Sequence, residues 1–175
     1  MPEPEACAMN RRCGQLGWLG LSLLVMLLDL ASKGYVEDHL SLYQRIEALP
    51  GLLDWTLAYN TGAAFSFLAG HSGWQRWLFA AIAIGTSVLL VVWLRRLRPG
   101  ETGLAIALAL VLGGALGNLY DRITLGHVID FILVHWQERW FFPAFNLADT
   151  AITFGAILLA LDMFRSPSSG ESVHD

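Results

Sequence analysis

Charge is what this sequence has least of. Charged residues make up 15% of the 175, against about 25% in ordinary soluble domains, and Lys33 is the one lysine. With 55% apolar residues and a mean hydropathy of +0.50, the balance makes lipid the main solvent. No basic run occurs and the formal net charge is −4, so no row of cations exists to neutralise phosphates, which argues against nucleic acid as a partner. Cysteine is scarce: Cys7 and Cys13 sit in the polar N-terminal tail outside any CxxC or Cys/His grouping, leaving no disulfide framework or thiolate metal site. HExxH and GxSxG are both missing, so zincin and serine-elbow chemistry lack their marks. There is no internal repeat or low-complexity tract, and the length suits one compact domain.

What the sequence does have is apolar helix. Crossing the hydrocarbon core takes about 20 mostly apolar residues, and four windows supply them, roughly 17–36, 73–94, 103–120 and 147–164. The first follows Arg11-Arg12 and mimics a secretory signal, but it runs past Asp29 to Val36 without a small-x-small cleavage site. It therefore reads as a retained membrane helix. Cys13-Gly14-Gln15 after the arginine pair is a poor match to a twin-arginine signal. The turn 95–102, with Arg95, Arg96, Arg98, Pro99 and Gly100, is too charged for lipid. It shares its side of the membrane with Arg11, Arg12 and Arg165, so the positive-inside bias predicts cytoplasmic termini. The two longer connections, 37–72 and 121–146, then face outward, with Trp74 and Trp77 in an interfacial belt. A single membrane domain over 1–175 is expected, with flexible tails at about 1–16 and 166–175.

Those outer connections have structure of their own. Residues 55–59 and 128–134 are rich in β-branched and aromatic side chains, as strands are. Between Ser41 and Pro50, Leu42, Ile46 and Leu49 recur at helical spacing, and Ser41 with Gln44 offers a capping box. The expected fold class is an all-α membrane protein: four transmembrane helices with a small periplasmic β-sheet cradle and a short amphipathic helix.

Polar groups at membrane depth are costly and mark candidate sites. Asp29 and Lys33, four apart, share a face of the first helix and read as a structural ion pair. Asn118, Asp121 and Arg122 share a face at the end of the third helix. Arg122 and Asn118 suit that C-terminus, where Asp121 is poorly placed unless paired. Asp130 lies inside an apolar strand-like run, and Asp149 in the first turn of the fourth helix, behind Asn146 as N-cap. Each aspartate alone is best read as a solvated or capping carboxylate. Should the two meet in one apolar site, they share a proton and titrate as a unit, the arrangement of aspartic proteases. Spacing leaves open whether they meet. A metal site from His127, Asp130 and His135 matches no common zinc spacing, and Ser32 with Lys33 point apart on a helix. Asn60-Thr61-Gly62-Ala63-Ala64-Phe65-Ser66 is a turn, whose glycine and alanines also permit close approach of a second backbone. Rival readings are an ion or proton relay through Asp29, Asp130 and Asp149 in a small transporter, and an inactive scaffold.

In order along the chain, Asp29 and Lys33, the 60–66 motif, Gly117-Asn118-Leu119-Tyr120-Asp121-Arg122, Val128-Ile129-Asp130-Phe131 and Phe145-Asn146-Leu147-Ala148-Asp149 resemble the bacterial lipoprotein signal peptidases (signal peptidase II), over roughly 18–164. The resemblance implies Asp130 and Asp149 as a catalytic dyad. It implies Asn60, Gly62, Asn118, Arg122, Asn146, Asp29 and Lys33 as supporting or substrate-binding residues. It further implies a diacylglyceryl-prolipoprotein substrate, cleaved just before the lipidated cysteine, and no cofactor or metal. Membrane lipid is the remaining partner, and cyclic peptide antibiotics such as globomycin are the expected inhibitors. The chain is expected to be a monomer of the bacterial inner membrane, with its active site near the periplasmic face.

Overall fold

A computed structural model describes residues 15–62 and 74–165. The expected flexible tails, apart from Gln15 and Leu16, and the second half of the 60–66 motif lie outside these described residues. Four helices are long and apolar enough to cross a membrane. They are α1 (Leu19–His39, entered through one 3₁₀ turn at Leu16–Trp18), α2 (Trp74–Arg96), α3 (Thr102–Thr124) and α4 (Leu147–Arg165). All four expected spans are present, and α3 runs four residues further than expected, carrying Asp121 and Arg122 on the helix itself.

Helix α3 is the centre of the bundle. In its apolar window 61% of residues are buried, against 22% for α1 and α2 and 17% for α4, and it packs against all three. Lipid offers no hydrophobic drive between helices, so close packing through small residues must hold them. Gly114 and Gly117 show how. A Cβ on Gly114 would collide with the Ala148 carbonyl oxygen of α4, and one on Gly117 would lie 2.5 Å from Asp29 Oδ2 of α1. Far from the sheet, Leu90, Leu94, Leu97, Ala105, Leu108 and Leu112 form an apolar cluster between α2 and α3. Many of the large side chains left exposed, such as Leu27, Leu28, Val88 and Phe154, lie on the spans, as a lipid-facing surface requires.

At the other end, β1 (Arg45–Leu49), β2 (Leu53–Asn60), β3 (Val128–Trp136) and β4 (Trp140–Phe141) form an antiparallel sheet in sequence order. The two runs expected as strands, 55–59 and 128–134, lie in β2 and β3 and pair with each other, Ala58 opposite Asp130 and Asn60 opposite Val128. Leu57, Ile129 and Phe131 turn one face of the sheet onto Val36 near the end of α1. Phe145 then exchanges backbone hydrogen bonds with Ile132, at 2.8 and 3.0 Å, which holds the chain just before α4 against β3.

The expected amphipathic helix over 41–50 is corrected by the structure: residues 45–49 are the edge strand β1. Ser41 and Gln44 do close a turn, the Ser41 N–H donating to Gln44 Oε1 at 2.9 Å. Tyr43 within it takes φ 62, however, a left-handed value that ends helical winding, and its N–H donates to Leu57 O at 2.8 Å. From there β1 pairs with β2, Ile46 opposite Trp55. Leu42, Ile46 and Leu49 stay exposed. Their helical spacing had no buried surface to serve, so the ladder with β2 prevailed.

Candidate active site

Six elements, α1 to α4 with β2 and β3, converge where the sheet meets the bundle. The first layer is a buried ion cluster. Lys33 Nζ has three donors and three acceptors: Asp29 Oδ2 at 2.6 Å, Asp121 Oδ2 at 2.8 Å and Asn118 Oδ1 at 3.0 Å. All four residues are buried. Asp29 Oδ1 accepts the Ala148 N–H of α4 at 2.8 Å, a carboxylate at a helix N-terminus, and Asp121 Oδ2 accepts the Ile129 N–H at 3.4 Å. The ion pair expected from Asp29 and Lys33 is thus half of a larger set. Asp121 is the member whose role the sequence left unassigned; its place at i+3 from Asn118 was the available signal.

Asn118 carries the influence of Lys33 outward. Lysine cannot accept, so the amide turns Oδ1 to Lys33 and Nδ2 outward, where it donates to Asp149 Oδ1 at 2.7 Å. Asn146 caps α4 as expected: the Asp149 N–H donates to Asn146 Oδ1 at 2.9 Å, and the Asn146 N–H returns to Asp149 Oδ2 at 3.3 Å, a reciprocal capping box. The Nδ2 of the same fully buried side chain donates to Asp130 Oδ1 at 2.8 Å, with Asn118 Oδ1 and Ile129 O at 3.1 and 3.3 Å. One asparagine therefore touches both aspartates.

Asp130 is 2% exposed. Its other oxygen accepts Asn60 Nδ2 at 3.0 Å, and Asn60 is oriented in turn by the Gly62 N–H on its Oδ1 at 2.9 Å. Burial pushes the Asp130 carboxyl up to about 7, with help from the negative charge of Asp149 and against the hydrogen bonds from Asn60 and Asn146. Gly62 sits at φ +90, and a Cβ there would come within 2.7 Å of the Phe79 ring of α2, so this turn requires glycine. Phe79 also lies under the Arg122 guanidinium, 5.4 Å from the ring centroid, while Arg122 Nη1 donates to Asn118 O at 3.1 Å. Phe79, a further residue the sequence reading missed, thereby joins Gly62 to Arg122.

All nine sequence-derived site residues thus lie in one connected network. The metal trio weighed earlier does not come together: His135 lies beside Asp54 and Glu138, and His127 packs at a tilt against Tyr59, ring centroids 4.1 Å apart.

Comparison with known proteins places this geometry. Residues 21–165 match the family model described as signal peptidase (SPase) II. The chain is 71% identical over 164 residues to a lipoprotein signal peptidase of Pseudomonas fluorescens (strain Pf0-1), covering 94% of this chain and 96% of the relative. It is 70% identical over 174 residues to one of Pseudomonas aeruginosa (strain UCBPP-PA14), covering 99% of each. Two solved structures of a bacterial membrane enzyme, obtained by the in meso method at 2.3 and 1.9 Å resolution, superpose with TM-scores of 0.74 and 0.77 at 27% identity. They cover 91% and 89% of this chain, and 94% and 98% of their own. On the matched family model, the identity along almost the whole chain and the four-helix frame, the chain belongs to the signal peptidase II family.

Proposed function

We propose that this protein is a membrane aspartic endopeptidase that removes signal peptides from diacylglyceryl-modified prolipoproteins, cleaving just before the lipidated cysteine. The observation that carries this reading is Asn146, which hydrogen-bonds Asp130 and Asp149 into one site where bundle meets sheet, in a chain whose relatives are named lipoprotein signal peptidase. Asp149 has donors on both oxygens and lies at a helix N-terminus, which suits a carboxylate acting as base. Asp130, held up at about 7, suits the proton-bearing partner. Asp149 takes a proton from water as its oxygen attacks the scissile carbonyl, and Asp130 gives its proton to the carbonyl oxygen. Collapse of the tetrahedral intermediate returns a proton to Asp130. Asp149 passes its own to the leaving nitrogen as the C–N bond breaks. Signal peptide leaves with a carboxylate and lipoprotein with a free amine.

A signal peptide spans lipid as a helix, with its amides shielded, and cleavage needs a locally extended segment that protein must line. Asn60, Gly62, Asn118, Arg122 and the β2–β3 sheet supply such a cradle, with the Lys33–Asp29–Asp121 cluster holding it from beneath. The diacylglyceryl chains contribute mainly by positioning the scissile bond, since much of their burial, about 0.8 kcal/mol per CH₂, is already present in the bilayer. In this reading the enzyme is a monomer of the inner membrane with both termini cytoplasmic, works at the periplasmic face and is blocked by cyclic peptides such as globomycin.

The test is cleavage of purified diacylglyceryl prolipoprotein by the reconstituted chain. Expected are chelator-resistant cleavage before the lipidated cysteine and slow turnover of unlipidated precursor. Equal rates on both precursors would remove the positioning role of lipid, and no cleavage by folded protein would bring the ion-relay reading forward. The pH profile gives a second check. Asp130 must hold its proton, so kcat/KM should fall as pH rises through about 7. Activity flat from about pH 6 to about pH 9 would exclude Asp130 as the acid.

A further inference from the structure

The sheet carries a second polar cluster, outside the network of the two aspartates. His135 of β3 is 2% exposed, yet neither ring nitrogen has a hydrogen-bond partner. Its Nε2 faces Asp54 Oδ1 of β2 at 3.3 Å, and its Nδ1 faces Glu138 Oε1 in the β3–β4 turn at 3.5 Å. Phe141 of β4 stacks on the ring, centroids 5.5 Å apart. A neutral imidazole offers one N–H and one lone pair. In either tautomer, then, one lone pair confronts a carboxylate oxygen in a buried place, which is costly.

Arg45 of β1 does not relieve this. It donates to Asp54 Oδ2, with Nε at 2.7 Å, and to both Glu138 oxygens, at 2.9 and 2.6 Å. The Arg45 hydrogen bond falls on Asp54 Oδ2, while Oδ1 is the oxygen aimed at His135. Two carboxylates against one guanidinium also leave net negative charge for a cation to meet.

We propose that a divalent transition-metal ion of the zinc class binds here, held by His135 Nε2, Asp54 Oδ1 and the Glu138 carboxylate, with solvent completing the shell. Bonds of about 2.0–2.1 Å at tetrahedral angles set two ligand atoms about 3.3–3.4 Å apart. The Nε2–Oδ1 separation is already 3.3 Å, a spacing that serves two ligands of one ion better than it serves a hydrogen bond. The ligand atoms of all three residues lie within 4.8 Å of one another. The Glu138 side chain is 60% exposed and that of Arg45 34%, so the carboxylate can swing inward while the guanidinium yields to solvent. One imidazole with two carboxylates suits zinc better than calcium or magnesium, which prefer all-oxygen shells. Bound there, the ion fastens β2 to the β3–β4 turn. His135 is five residues along β3 from Asp130, about 17 Å at about 3.3 Å per residue, so this inference stands apart from the peptidase reading.

The experiment uses the full chain in detergent, stripped with chelator and titrated with Zn²⁺ by calorimetry and with Co²⁺ by visible absorption. Expected are one saturable equivalent, a tetrahedral cobalt spectrum and a melting temperature raised by Zn²⁺. His135→Asn and Asp54→Asn should each weaken binding by about 100-fold or more and abolish the thermal shift. Arg45→Gln breaks the same ion pairs without removing a ligand, and should bind at least as tightly as the parent. Three results would overturn the proposal: no saturable binding, binding unchanged in the ligand variants, or a loss in Arg45→Gln as complete as in His135→Asn. A His135 that titrates with protons by NMR yet takes up no metal would likewise make the cluster a proton site.

Discussion

Asp130→Asn and Asp149→Asn should each lower turnover of diacylglyceryl prolipoprotein by about 10²- to 10⁴-fold, the scale of a lost general acid or base. Neither change should unfold the protein. At Asp130, asparagine removes a carboxyl that burial holds at about 7, but it turns an NH₂ toward the amide of Asn60 or Asn146, which already donate to that side chain. The two effects offset. The pH dependence of stability separates the variants further. The folded chain keeps the Asp130 proton up to about 7, whereas the unfolded chain loses it near 3.8. Folding therefore binds a proton between those values, and this group makes stability fall as pH rises through that window. This contribution to the slope should be lost in Asp130→Asn and persist in Asp149→Asn. Single-turnover cleavage and melting curves across pH measure both, and turnover within about tenfold of the parent would strike that aspartate from the mechanism.

Lys33→Met should have the largest effect on the fold, about 3–5 kcal/mol of destabilisation, because it strands Asp29 and Asp121 as unpaired charges at buried positions. Activity should fall as well, since Asn118 loses the partner that fixes its amide orientation. Restoring charge balance by adding Asp29→Asn and Asp121→Asn should recover much of the stability, a coupling that independent sites would not show. Unfolding in detergent, followed by denaturant titration of all three backgrounds, reads the difference. A single variant within about 1 kcal/mol of the parent would place the lysine in the class of exposed ion pairs and refute the buried cluster.

The spans were legible because hydropathy alone specifies them, and β2 and β3 because residues such as Trp55, Ile129 and Val134 favour a pleated surface. Residues 41–50 were misread because Leu42, Ile46 and Leu49 repeat at helical spacing while the partner that decided their state, β2, acts through backbone pairing that no side-chain period records. The site was legible only in pieces. Asn146 could be read as a cap from local sequence, but not as the residue bridging both aspartates, because Asp130 reaches it only after β3 has packed beside the start of α4. Asp121 looked misplaced for a related reason: its counter-ion, Lys33, lies on α1, and sequence spacing carries no information on contacts between helices.

That bridge has a consequence for control. The side chain that closes the first turn of α4 is also the one that holds Asp130, so local unwinding at that turn would dismantle the acid and the base in a single event. Any molecule that wedges the turn open would silence the protein without meeting either carboxylate, and resistance to such a molecule would map to the backbone around Phe145 and Leu147 rather than to the reacting groups.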